Sequence, residues 1–434
     1  MISAFSILFL VALLSISLHR SIWLKPTALL ALLVSAYFTF NGESVILTGF
    51  ASNESIRLFE LILEVVLFAL VLHIEEDITI TQTLFVGAAS ILLLQSVNIL
   101  SFVISFEALS IISIVLVSYI QTKEQAEGAV KMFIAAALAT GILFLGLMFY
   151  LIGGGDLLSA VESKNIFEVI GLSIMLAGVF YKLTIVPFHG WAADSYALVR
   201  HSHAAILTGV AKTVVALASF KIFAPFIMAN IELYVPLLAT LAVVTITLGN
   251  FLALFQKSIA KILSYSSIAH AGYMLLAFMA VKSEYAKDGI LYMSIAYIFM
   301  QSAAFLVLDI LRKNYNISTL EELKGFASQN RIVAFFFTIQ LFSLAGIPLL
   351  AGFLGKAVVF YAVVDAGYWW VALIALLNSA LSVAYYAWVV KGIYFDSFSA
   401  KKVLLAETKL SMSAQFILVV GTIYFGIFAG VVFN

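Results

Sequence analysis

The stretch Tyr181–Trp191, YKLTIVPFHGW, sets a lysine, a proline and a histidine inside one apolar segment. Read as a membrane helix over about 166–189, it holds Lys182 well away from either end. A cation near mid-bilayer costs about 2.5–3.5 kcal/mol even on lenient insertion scales, so it is rare and marks function. Pro187 has no N–H and clashes with the preceding turn, which predicts a broken helix and an unpaired carbonyl at Leu183. Freed backbone is tolerated at that depth only where protein or water satisfies it. A buried lysine beside a broken helix points to an ion path through the protein. The competing reading is a lysine that snorkels outward and a kink used for packing.

The rest of the chain supports a membrane setting. Of 434 residues 64% are hydrophobic and 11% charged, which excludes an ordinary soluble domain. Apolar runs near the roughly 20 residues needed to span a bilayer recur throughout. The fold class expected is an all-α polytopic membrane protein with about fourteen transmembrane helices. They fall near 2–18, 27–42, 56–73, 80–97, 99–120, 127–152, 166–189, 203–228, 233–255, 260–281, 288–312, 331–363, 368–394 and 411–433. The first has no basic region before it and reads as a mature helix rather than a removable signal. With no cysteine, thiolate zinc and cysteine-ligated iron–sulfur sites are excluded, and the histidines show no metal or haem spacing. No nucleic-acid-binding feature stands out.

Basic residues orient the chain. Loops after odd-numbered spans carry fifteen Lys or Arg, those after even-numbered spans carry five, and Lys182, Lys212 and Lys356 complete the 23 from inside spans. Lys164, Lys401 and Lys402 are among the loop residues. The bias puts odd loops in the cytoplasm and both termini outside, in an inner (cytoplasmic) membrane.

The ionisable residues within spans form the candidate site. Glu107 is the only one in the fifth span, 99–120, and a carboxylate there needs a partner or a proton. Lys212 lies near the middle of the eighth span. One acid and two bases on three helices can act electrostatically: a nearby carboxylate holds Lys182 protonated, and withdrawing it lets the proton move to Lys212. His270 sits in a serine-rich stripe with Lys257, Lys261, Ser264, Ser266 and Ser267, read as a water-lined path. Lys131 opens the sixth span as either an interfacial anchor or part of that path. Glu60 and Glu64 share one face of the third span; they could meet a neighbouring subunit or a polar path, and Glu60, near the outer end, is expected to be solvated at the interface. The run Glu75–Asp77 is expected to be a solvated turn or docking edge.

LTIVP (183–187) and LAGIP (344–348) share a leucine–proline spacing, with the second break expected at Gly346-Ile347-Pro348. Five spans separate the fourth from the ninth, and successive spans alternate direction. The two five-helix units therefore have opposite topology, as in transporters whose broken helices mark the ion route. The organisation expected is 1–79, a three-helix segment; 80–228, the first five-helix repeat; 229–395, its inverted copy; and 396–434, a loop and last helix. Lys356 follows Pro348 by eight residues, about 12 Å of helical rise.

Five stretches carry a resemblance over about 80–395. They are GGGDL (153–157), KLTIVPFHGWAADSY (182–196), QKSIAKILSYSSIAHAGY (256–273), LKGFASQNRIVAFFFTIQLFSLAGIPLLAGFLGK (323–356) and NSALSVAYYAWVVKGIYF (378–395). They resemble the antiporter-like membrane subunits of respiratory complex I, most closely the subunit N branch of bacterial NADH–quinone oxidoreductase. The resemblance implies a proton path through Glu107, Lys182, Lys212 and Lys356, with His270, Lys261 and Lys131 secondary. It implies no cofactor in this chain; NADH, FMN, quinone and iron–sulfur clusters belong to partner subunits, alongside sibling antiporter-like subunits. The chain departs from the family pattern at Ala193, where a proline commonly precedes the aspartate equivalent to Asp194. It departs again at ALVRHSHAA (197–205), which adds Arg200, His201 and His203 at the cytoplasmic rim; the readings are a proton-entry antenna and, preferred, a solvated helix start.

The function expected is proton translocation coupled to quinone reduction by other subunits of an NADH-quinone oxidoreductase. The alternatives are an Mrp-type sodium/proton antiporter subunit, a membrane subunit of a related hydrogenase or dehydrogenase, and a passive scaffold.

Overall fold

The computed structural model describes residues 4–41, 49–158, 165–395, 408–428 and 430. Lys164, Lys401 and Lys402, most of the connection 395–410 and the extremities of the first and last expected spans lie outside them. The described residues form α1 (Ala4–Ser17), α2 (Leu24–Phe40), α3 (Glu54–His73), α4 (Asp77–Gln95), α5 (Ile99–Val117), α6 (Lys123–Ile152), α7 (Ile166–Leu183), α8 (Ala192–Leu198), α9 (His201–Ala205), α10 (Lys212–Ala229), α11 (Ile231–Leu254), α12 (Ile259–Met279), α13 (Ala286–Tyr315), α14 (Arg331–Ala345), α15 (Ala351–Asp365), α16 (Trp369–Phe395) and α17 (Lys409–Ile427). A π turn, Ile206–Ala211, joins α9 to α10 in one continuous 29-residue span. Ten such spans are long and apolar enough to cross a membrane, and α1, α2 and α14 are shorter apolar helices.

Helix starts follow local chemistry. Asn53, Thr122, Asn165, Asn330 and Thr408 each cap a helix through the side chain. Asn98 and Ser101 form a reciprocal capping box at α5. These caps satisfy the first backbone N–H groups, which an apolar surrounding would otherwise leave unpaired.

The bundle is layered about α13, whose apolar window is entirely buried; α12 and α10 are nearly so, while α6 and α16 keep most of theirs at the surface. Phe133, Ile134 and Leu138 on α6, and Leu377 and Trp388 on α16, are exposed. This is the distribution a lipid-facing rim requires. α6 and α7 approach so closely that a Cβ on Gly146 would sit 2.5 Å from the Met175 backbone N. Small residues at a membrane helix interface allow such packing.

Both breaks lie upstream of their prolines. α7 stops at Leu183 rather than near 189, because Thr184 turns left-handed (φ 66°). The Ile185 N–H then bonds back to the Phe180 carbonyl at 3.0 Å. α14 stops at Ala345, Gly346 turns left-handed (φ 89°), and the Ile347 N–H bonds to the Phe342 carbonyl at 3.0 Å. Each is a six-residue helix-closing motif that satisfies late carbonyls. Pro187 and Pro348 follow helices that have already ended.

Two further expectations are corrected. Glu60 and Glu64 are not solvated: they are 2% and 1% exposed, because α2 and α4 pack against α3. The rim around Arg200 is not a solvated helix start. His203 is buried with Nε2 3.3 Å from Thr79 Oγ1. Arg200 pairs with Glu76 at 2.7 Å and covers the Tyr119 ring at 4.6 Å. The turn 75–77 is likewise engaged: Glu76 also meets Lys313 at 3.5 Å, and Asp77 accepts from the Arg20 backbone N–H at 2.7 Å.

Candidate functional site

The two breaks bring lysines to the open ends of half-helices. The last carbonyls of a helix carry partial negative charge and lack intrahelical donors. Lys182 stands in the final turn of α7 itself. Lys356, from α15, reaches back across the second break and donates to the Leu344 carbonyl at 2.9 Å and the Ala345 carbonyl at 3.1 Å. It also donates to Ser379 Oγ at 3.0 Å and lies 5.0 Å from the centre of the Tyr273 ring. Lys212 begins α10 immediately after the π turn, a wide turn that re-aims the residues following it. Its ammonium donates to Thr184 Oγ1 at 3.0 Å, at the first break, and to Ser267 O and Oγ at 3.1 and 2.6 Å. The Tyr196 ring lies 5.4 Å away. Lys212 is 2% and Lys356 3% exposed, so neither ammonium snorkels.

Between these lysines runs a polar tract. Ser266, next to Ser267, hydrogen-bonds Tyr386 and approaches His270 Nδ1 at 3.2 Å. His270 stacks on Tyr297 at 5.0 Å, and its Nε2 has no protein partner. Tyr386 packs on Tyr385 at 4.4 Å. Tyr385 donates to Asn250 Oδ1 at 3.1 Å, Asn250 Nδ2 reaches Tyr273 Oη at 3.4 Å, and the Tyr273 ring underlies Lys356. Lys212, His270 and Lys356 are thus brought into one buried network, strung with hydroxyls that both donate and accept.

Glu107 and Lys182 stand at the other end. Glu107 accepts from Thr140 Oγ1 at 2.8 Å. Lys182 Nζ is buried without a hydrogen-bond partner among the described residues and faces a small cleft lined by Ala135, Ala136 and Ala139 of α6. The acid and the lysine do not form a direct pair, so any coupling between them acts through space.

Lys131 and Lys261 belong elsewhere, to a surface cluster. Both bind Asp194, at 2.9 and 3.1 Å, and Lys131 also binds Glu127 at 2.6 Å. Asp194 sits on α8, beyond the first break, and clamps α6 and α12 to it. Sequence reading placed Ser267 in the polar stripe but gave no role to Thr184 or Ser379; single hydroxyls carry no spacing signal, and Asp194 read as a motif residue only. Nor did it foresee His73, whose Nε2 lies 3.1 Å from Asp309, itself paired with Lys313 at 2.9 Å. At Glu76, in the turn before α4, burial opposes ionisation, yet Lys313 and Arg200 hold the carboxyl below its ordinary range. Among the described residues no group of His, Asp or Glu is placed to hold a metal ion.

Comparison with known proteins places this arrangement. Residues 96–382 match the family described as NADH:quinone oxidoreductase/Mrp antiporter, TM. The chain is 33% identical over 323 residues to NADH-quinone oxidoreductase subunit N of Trichlorobacter lovleyi, covering 72% of this chain and 66% of that one. It is 30% identical over 388 residues to F(420)H(2) dehydrogenase subunit N of Methanosarcina mazei, covering 82% and 78%. Its fold matches a chain of respiratory complex I from Thermus thermophilus with bound aureothin, at TM-score 0.86, 24% identity and coverage of 99% and 98%. It matches a chain of the Mrp complex from Dietzia sp. at TM-score 0.86, 17% identity and coverage of 99% and 94%. The matched segment contains both broken helices and every buried lysine of the network, and the chain belongs to the NADH:quinone oxidoreductase/Mrp antiporter membrane family.

Proposed function

We propose that this chain is the subunit-N-type proton-translocating subunit of a complex I-like oxidoreductase, without a redox centre of its own. The observation that carries this reading is the pair Lys212 and Lys356, each buried, each bound to a helix break, and joined by one hydroxyl-rich tract. Each has a hydroxyl neighbour, Thr184 and Ser267 for Lys212 and Ser379 for Lys356, that accepts when the lysine is charged and can turn to donate when it is neutral. In this reading Glu107 modulates Lys182, the proton passes to Lys212, then by His270 and the tyrosines to Lys356, and release is outside. Pro187, Gly346 and Pro348 mark the breaks that open the path. Lys131 and Lys261 act secondarily by holding α8 through Asp194.

The accompanying architecture is fourteen spans, with α7/α8 and α14/α15 as the broken seventh and twelfth. Residues 80–228 and 229–395 are inverted repeats, between a three-helix segment (1–79) and a terminal loop and helix (396–434). Both breaks close by the same Phe-x4-Ile hydrogen bond, which supports the repeat. The chain lies in the inner membrane with both termini outside. NADH or another electron donor, FMN, iron–sulfur clusters and quinone reside with partner subunits. The relatives named for NADH and for F(420)H(2) fit a chain that is indifferent to the donor.

Lys182→Ala and Glu107→Ala test the reading. Both are expected to cut proton pumping and coupled turnover while the complex assembles; unchanged pumping in both rejects it. The Mrp reading predicts sodium/proton exchange and co-purification with small membrane subunits alone.

A further inference from the structure

A buried carboxyl pair lies outside the lysine network. Glu60 and Glu64 lie four residues apart on α3 and share a face. Ser35 and Thr39 of α2 both hydrogen-bond Glu64 Oε1, Thr39 at 3.2 Å. Ser52 reaches Glu60 Oε2 at 3.3 Å, and Gln95 of α4 lies beside Glu60. Lys221 of α10 is the charged group set against Glu60 from a neighbouring helix, and it donates to the Leu94 carbonyl at 2.8 Å. Three oxygens here, Glu60 Oε1, Glu64 Oε2 and Gln95 Oε1, are buried with no hydrogen-bond partner among the described residues.

Two carboxylates facing one ammonium leave a net negative charge among apolar helices, which costs heavily. The pair also has a surplus of acceptors. One proton retained by the pair removes both problems: it balances the charge and supplies an O–H donor to an orphaned oxygen. Access is one-sided. Ser52 and Lys221 line a cavity of about 280 Å³ at the Glu54 end of α3, and Lys221 and Asn53 line another of about 390 Å³. Toward the other face α3 reads VVLFALVL (65–72), with no polar side chain before His73. The site is also separate from the lysine network: Lys221 lies nine residues after Lys212, half a turn out of phase on the same helix.

We propose that Glu60 and Glu64 form a proton-holding carboxyl pair, distinct from the Lys212–Lys356 network, that exchanges its proton through Ser52 with the aqueous cavity at the Glu54 end of α3. Its existence does not require the lysine network to conduct, so the two can fail separately.

Infrared difference spectroscopy on the intact complex in lipid nanodiscs tests this. A protonated-carboxyl C=O band present at neutral pH and shifted in D2O is expected to vanish in Glu60→Gln/Glu64→Gln and to survive in Lys182→Ala. Ser52→Ala is expected to keep the band and slow its D2O exchange at least tenfold. Lys221→Gln is expected to let it persist to more alkaline pH, by about one unit or more. An unchanged band in the double variant, or unchanged exchange in Ser52→Ala, overturns the proposal. So does saturable loss of the band on adding sodium at fixed pH, which makes the pair a sodium site. If the double variant does not assemble, the Ser52 and Lys221 arms decide.

Discussion

Replacing Lys212 by methionine separates the chemical role of its ammonium from its packing role. Methionine keeps most of the unbranched stem and removes the charge. The ammonium makes three hydrogen bonds, to Thr184 and twice to Ser267, each about 1.5–3 kcal/mol for a charged donor. The same substitution removes the desolvation penalty of a charge that is 2% exposed, a term of several kcal/mol in the opposite direction. The two largely cancel, so the complex is expected to assemble with its stability changed by less than about 2 kcal/mol. Transport does not benefit from that cancellation. Without a base at Lys212 the proton must cross the gap between Thr184 and Ser267 as an unassisted charge. An added barrier of about 2.5–3.5 kcal/mol corresponds to about 70- to 400-fold slower passage. The assay is proton uptake into proteoliposomes followed by a pH-sensitive dye, measured beside electron-transfer turnover and the subunit content of the purified complex. Pumping within twofold of the wild type, with assembly intact, refutes the assignment of Lys212 to the path.

Two other outcomes follow from the same geometry. Lys356→Ala takes the ammonium from the Leu344 carbonyl and leaves the Ala345 carbonyl only the Ser379 and Ser382 hydroxyls, each at 3.4 Å. At about 1–3 kcal/mol per buried unsatisfied group, thermal unfolding in mild detergent is expected to fall clearly below that of Lys212→Met. Glu76→Gln probes the ion cluster at the opposite end of α3, where Arg200, Lys313 and Asp309 surround the carboxyl. Because the folded-state value is depressed, Glu76 adds stability above its unfolded value of 4.5 that is lost as pH falls through the folded value. The variant is expected to be less stable than wild type at pH 7, with the difference closing under acid; a constant offset across that range counts against the ion cluster.

Reading the chain alone reached the membrane class and the buried lysines because both are local statements. An apolar run of spanning length and a lysine inside it need no tertiary information. Prolines located the two interruptions within a few residues but not their form. The closures depend on Thr184 and Gly346 adopting left-handed backbone, and threonine carries no such signal. Glu60 and Glu64 were misjudged for a different reason: depth along one helix says nothing about what packs over it. The neighbouring helices α2 and α4 fold back over α3 and turn an interfacial face into an interior one.

Length, hydropathy and the three lysines within spans thus determined that ionisable groups would stand at membrane depth. Only the tertiary structure decided their partners: Lys212 with Ser267, Lys356 with the end of α14, His270 with Tyr297, and Lys131 and Lys261 with Asp194 instead of the network. The physical reason is that insertion is decided largely span by span, by transfer of each segment from water to lipid. Hydrogen bonding between side chains on different spans depends on how the helices cross and turn, a property of the assembled bundle.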